Sequence, residues 1–172
     1  SRPIEMSSSP PNDSIDGLWC AISPSVELRA DSLFNSVDFD GKICYEFQCN
    51  FVGSPPSDME QCHYIETYQL PHRTGGTITA HGNEKVAYDI GSGIRIGDAF
   101  KAADYLDGSF FDMKMTPDGY LRGWIREVHG NKKENAFAGV FTLERRGGVE
   151  PNFVSRFETI KRAATGGNPL VR

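Results

Sequence analysis

The sequence predicts an all-β chain: an antiparallel up-and-down barrel of about eight strands with a short C-terminal helix. Three observations carry that expectation. Apolar side chains recur with a period of two through most of the chain, the period of a half-buried strand rather than of a helix. Turn residues break the alternation every 8–14 residues or so, a spacing typical of all-β domains. The strands follow one another as sequential hairpins with no long crossover, which favours closure into a barrel. Eight strands enclose a space that side chains fill or that holds one small ligand.

Each element can be justified in order. Residues 1–15 contain Ser7-Ser8-Ser9-Pro10-Pro11-Asn12 and read as a mobile N-terminal arm. Strand candidates stand near 17–22 and 26–30, either as two strands or as one bent strand. Residues 42–52 are the clearest strand: Ile43, Tyr45, Phe47, Cys49 and Phe51 share one face, and Cys44, Glu46, Gln48 and Asn50 share the other. Turning the apolar set outward would expose four large side chains together, so that face points inward. Gly53-Ser54-Pro55-Pro56 ends this strand. Residues 60–70 follow, with Tyr64, Glu66, Tyr68 and Leu70 on one face and His63, Ile65 and Thr67 on the other. A short strand at 77–80 precedes one at 85–96, where Gly91-Ser92-Gly93 predicts a kink or bulge. Residues 98–106 read as a helical turn or irregular loop. Phe111, Met113 and Met115 alternate in a strand at 109–116, and Thr116-Pro117-Asp118-Gly119 is a reverse-turn signal. Strands at 120–129 and 136–144 complete the sheet. Phe153, Phe157 and Ile160 stand at helical spacing within 152–164, and Gly166-Gly167-Asn168-Pro169 ends that helix. The domain organisation is therefore an arm (1–15), a barrel (16–147), and a helix with its tail (148–172).

Composition limits the function classes. The chain has 172 residues, 38% of them hydrophobic, enough for one domain with a real core. A net charge of −5 offers no basic excess for phosphates and disfavours nucleic acid as a partner. No apolar run approaches the ~18 residues of a membrane-spanning helix. Walker, Rossmann and Gly-x-Ser-x-Gly patterns are missing, so no cofactor is called for.

Cys20, Cys44, Cys49 and Cys62 lack the C-x-x-C spacing of a zinc or redox site, so no metal is expected. Four buried free thiols, as in a cytoplasmic protein, are the favoured state. If the cysteines are oxidised, Cys44 and Cys49 are too far apart on one strand to bridge each other. That leaves Cys20–Cys44 with Cys49–Cys62, or Cys20–Cys49 with Cys44–Cys62.

The first strand opens Asp16-Gly17-Leu18-Trp19, and the last ends Leu143-Glu144-Arg145-Arg146. A Gly-x-Trp opening with a basic residue at the close resembles the calycin group, the lipocalins and their relatives. The resemblance implies that Trp19 closes one end of the barrel and that Arg145 or Arg146 packs over its indole. It implies a small-molecule pocket as well.

Chemistry then falls to the interior. Tyr45, Phe47, Tyr64, Tyr68, Met113, Met115 and Phe141 are the candidate ligand-binding residues: aromatic walls, phenols able to orient a polar group, and adaptable thioethers. Glu66, between Tyr64 and Tyr68 on one face, is the candidate catalytic residue. If that face is interior, the carboxylate sits where a general acid or base is needed; if exterior, it is an ordinary surface group. Glu46 reads as part of a solvated outer face, and Trp124 between Arg122 and Arg126 as outer aromatic–cation packing or an anion patch. The expected partner is a small hydrophobic molecule bound inside the barrel. The alternatives are a cofactor-free cyclase or isomerase acting on a hydrophobic intermediate, and a non-catalytic interaction domain.

Overall fold

The computed structural model describes residues 14–24, 43–52, 59–69, 78–81, 84–105, 110–127 and 136–165. Its strands are β1 (Gly17–Pro24), β2 (Ile43–Phe51), β3 (Met59–Gln69), β4 (Ile78–His81), β5 (Glu84–Ile96), β6 (Ala99–Asp104), β7 (Phe110–Met115), β8 (Leu121–Glu127) and β9 (Ala136–Gly147), and the helix is α1 (Phe153–Thr165). The strands run β3-β2-β1-β9-β8-β7-β6-β5 around one sheet, and β3 pairs with β5 to close it. The result is an eight-stranded antiparallel barrel with one short C-terminal helix. β4 stands outside the closed ring and pairs with residues 84–87 of β5. No described helix is long and apolar enough to cross a membrane.

Alternation decides what faces the lumen. Ile43, Tyr45 and Phe47 of β2 are wholly buried, and Phe100, Phe111, Met113, Leu121, Ile125, Phe141 and Leu143 meet them from the other strands. Burial of each such side chain contributes about 1.5–3 kcal/mol. Phe51, expected on the same inward face, lies at the rim and is 37% exposed.

Other expectations are corrected as well. Residues 99–104 form a strand, β6, rather than a helical turn or loop. Its inner face is Phe100, Ala102 and Asp104, so only one large apolar residue marks it. The Gly91-Ser92-Gly93 segment is not a bulge, because β5 keeps an unbroken register with β3 from Val86 to Ile96. Those glycines are small for packing reasons: a Cβ on Gly91 would overlap the Tyr64 ring and the Ala103 carbonyl. Ser14 and Ile15, placed in the arm by composition, are buried against the barrel. The cysteines are not free thiols. Cys20 bonds to Cys44 and Cys49 to Cys62, each pair sitting directly opposite in register. The strand candidate at 26–30 lies outside the described residues. The 116–119 turn forms as expected, with Gly119 N donating to Thr116 O at 3.0 Å and Gly119 at φ 92°.

Side chains and the N-terminal segment plug one end of the barrel. The Arg145 guanidinium lies 4.3 Å from the Trp19 ring centroid and donates to the carbonyls of Ser14 and Asp16. Trp19 Nε1 donates to Ile15 O at 2.9 Å. Glu60 accepts from Ser14 Oγ (3.0 Å), Ile15 N (2.8 Å) and Arg95 Nε (2.9 Å), so this buried carboxylate is well partnered. Partial burial lowers the Arg145 pKa, opposed by Asp16 and Glu60.

Outside the barrel, Phe153 and Phe157 of α1 pack on Ile65 of β3 and Ile90 of β5. Glu46, expected to be solvated, is instead covered. Arg156 Nη1 and Nη2 donate to its two carboxylate oxygens at 2.8 and 2.9 Å, and Glu150 N donates to it at 2.7 Å.

Candidate functional site

Beyond the plug, the lumen is floored with aromatic rings. Tyr45 meets Phe111 edge-on at 4.7 Å between centroids and Tyr64 at 6.0 Å. Phe47 meets Phe100 at 5.1 Å and Tyr64 at 5.8 Å, and Tyr64 meets Phe111 at 5.1 Å. All but the tilted Tyr64–Phe111 pair are edge-to-face contacts, which suit the ring quadrupoles. Five of the candidate ligand-binding residues therefore fall in one buried cluster: Tyr45, Phe47, Tyr64, Met113 and Phe141. Met115 packs against that cluster, half-buried at the plugged end. The Tyr68 backbone pairs with Ile43 and Ala87, but its side chain lies outside the described residues.

Glu66 sits at the far side of this floor, toward the end of the barrel away from the plug. It is 6% exposed and accepts a 2.5 Å hydrogen bond from the Tyr45 hydroxyl. The β3–β5 register puts Asp89 opposite Glu66. Asp104 of β6 pairs with Gly91, two residues further along β5. The carboxylates of Glu66, Asp89 and Asp104 thus converge, with one oxygen from each within 4.8 Å of the others. Asp104 is buried and Asp89 half-buried. Carboxyl groups this close in an apolar enclosure are stabilised by shared protons, by hydrogen-bonded partners or by a cation. Three oxygen donors would suit a hard divalent cation, although no metal was called for from sequence. A second grouping, Cys49, Glu60 and Cys62, does not fit a metal. Its sulfurs are joined in a disulfide and its carboxylate is taken by three donors.

Sequence reasoning picked out Glu66 and missed Asp89 and Asp104. Asp89 stands between apolar outward-facing neighbours, and Asp104 lies in a segment without strand-like alternation. Their convergence is visible only in the register of three strands.

The other singled-out residues lie on the outer surface. His63 is exposed and stands 5.2 Å from the Phe157 ring. Trp124 is 40% exposed, and Arg122 Nη1 donates to Thr142 Oγ1 at 2.8 Å. Comparison with known proteins finds no matching family model, no similar curated protein and no similar solved structure.

Proposed function

We propose that the chain binds a small hydrophobic molecule at the Glu66 end of the barrel. The apolar body of the ligand would rest on the Tyr45, Tyr64 and Phe111 rings, with a hydrogen-bond donor directed at Glu66. One observation carries this reading: a buried carboxylate that accepts from a phenol beside the aromatic cluster, with two further carboxyl groups converging on it. Groups of this kind cost stability when buried and concentrate where a ligand or a proton is handled. The Trp19–Arg145 stack supports kinship with the calycin group, whose barrels take small molecules. The two disulfides support an oxidising compartment rather than the cytoplasm.

The short Tyr45–Glu66 bond favours a second reading, a cofactor-free cyclase or isomerase. In that reading the barrel folds a hydrophobic substrate into a reactive shape. Glu66 takes a proton from one atom of the substrate and returns it to another, with no net gain or loss of protons.

Native mass spectrometry of the purified chain, before and after denaturing extraction, tests the binding reading, with titration of the apolar fluorophore N-phenyl-1-naphthylamine beside it. A co-purified molecule or saturable uptake of the fluorophore is the expected result. A clean apo mass with no uptake overturns it. Glu66→Gln separates the two readings: a carrier changes little, because the carboxamide oxygen still accepts from the ligand, whereas an enzyme keeps binding and loses turnover, because the carboxamide cannot take a proton.

A further inference from the structure

The outer wall of β3, β5, β6 and β7 carries an apolar surface that the barrel interior does not explain. Ile96 is 59% exposed and Ile94 40% exposed. They stand side by side on β5, and Met59 lies opposite Ile96 with Val52, also exposed, beyond it. This ridge borders a groove of about 930 Å³. The groove floor is low because its residues are small: Ser92 of β5 pairs with Ala103 of β6, which pairs with Phe110 of β7. Beside the groove residue His63, the Phe157 ring of α1 stands at 5.2 Å, and it meets the Tyr105 ring at 6.1 Å. Among the described residues, the fully charged ones lining the groove are Lys101 and Asp112, both exposed and 4.0 Å apart.

We infer that this face is where a second copy of the chain docks, related to the first by a twofold axis. Such an interface requires a patch complementary to itself, and a ridge of Ile94 and Ile96 beside a groove that carries one lysine and one aspartate meets that requirement. A ridge beside a trough allows the ridge of each copy to fill the trough of the other. A lysine beside an aspartate allows each to meet its opposite across the axis. Charge does not oppose such contact at this face. The chain carries a net charge of −5, so two copies repel each other in general, but this face is locally neutral. It offers no charge preference for an acidic or a basic partner, and its exposed isoleucines form a patch that soluble chains ordinarily cover.

Sedimentation velocity on the full 172-residue chain tests the inference, up to about 200 µM, where a micromolar interface is saturated. A monomer–dimer equilibrium is expected. Ile96→Asp and Ala103→Arg should each weaken it by about 30-fold or more, the loss expected at an interface hot spot. Neither should shift the melting temperature of the dilute monomer much, since both side chains there point to solvent. Lys101→Asp should weaken the dimer, and adding Asp112→Lys should restore it. If one apolar-face variant fails to fold, the charge pair still decides. A chain that stays monomeric at the highest concentration overturns the inference. So does a dimer that all these variants leave unchanged, an assembly of other than two copies, or a monomer whose native mass shows a small molecule lost on Ala103→Arg.

Discussion

Arg145 performs three tasks with one planar group: it covers the Trp19 indole and donates to two carbonyls of the N-terminal segment. Lysine has no flat face and no fork of donors, so it cannot replace all three. Arg145→Ala is expected to cost about 2 kcal/mol, because it leaves the carbonyls of Ser14 and Asp16 without this donor and uncovers the ring. Arg145→Lys should recover only part of that loss. Urea unfolding followed by tryptophan fluorescence checks both, and unchanged midpoints would remove Arg145 from the plug. At Gly91 the constraint is space. A Cβ there overlaps the Tyr64 ring and the Ala103 carbonyl, so Gly91→Ala should cost about 1–3 kcal/mol. Tyr64→Leu shortens the ring that the new Cβ meets, so the two substitutions together should cost less than their sum. A strictly additive double mutant would show that the crowding lies in the backbone of β6 instead.

At the scale of elements, α1 is attached to the barrel wall by two kinds of contact. Phe153 and Phe157 supply apolar contact with Ile65 and Ile90, and Arg156 supplies a two-pronged bond to Glu46. Phe157→Ala should cost about 3 kcal/mol. Arg156 is 38% exposed, so its charge contributes little by itself, but Arg156→Ala leaves the buried Glu46 with only the Glu150 amide. Beneath the helix, burial raises the Tyr88 pKa above 10.0 and outweighs the opposing pull of Arg156. The folded state therefore holds the phenolic proton more tightly than the unfolded state. That contribution is complete below about pH 10, the unfolded value, and is lost as pH rises through the folded one. Stability measured from pH 8 to 11 should fall at the alkaline end, less steeply in Tyr88→Phe; identical slopes would place Tyr88 outside the balance. The helix itself was legible from the spacing of Phe153, Phe157 and Ile160. The burial of Glu46 was not, because the arginine that holds it lies 110 residues away. β6 was hidden for a different reason: a strand whose inner face is Phe100, Ala102 and Asp104 has almost no hydrophobic alternation to detect.

Closure of the whole barrel turns local patterns into a site. The β2 pattern alone was enough to predict an inward face holding Tyr45 and Phe47, and Glu66 stood out between two tyrosines. Asp89 and Asp104 reach Glu66 only because β3, β5 and β6 pair in one particular register, and register is a property of the sheet. The cysteines follow the same logic. Spacing excluded one bridge and left two pairings open; the registers decide between them by placing Cys20 opposite Cys44 and Cys49 opposite Cys62. β2 is thereby stapled to β1 on one face and to β3 on the other. The bridges span 24 and 13 residues, and the chain-entropy account makes each worth about 3 kcal/mol. A domain of this size is stable by about 5–15 kcal/mol in total. Losing one bridge should therefore leave the barrel folded with a lower melting temperature, and losing both should bring it near its limit. The two losses should differ at the proposed ligand site. Cys49–Cys62 shares the inner face with Phe47 and Tyr64, so Cys49→Ala/Cys62→Ala should loosen the aromatic floor and weaken uptake of the fluorophore. Cys20–Cys44 lies on the opposite face, so Cys20→Ala/Cys44→Ala should lower the melting temperature while leaving uptake unchanged. Thermal melts with and without reductant, paired with an intact-mass thiol count, check the first half of this argument, and fluorophore titration of the two double variants checks the second. Four free thiols in the native chain would remove the staples altogether. Equal loss of uptake in both variants would show that binding follows overall stability rather than the inner face.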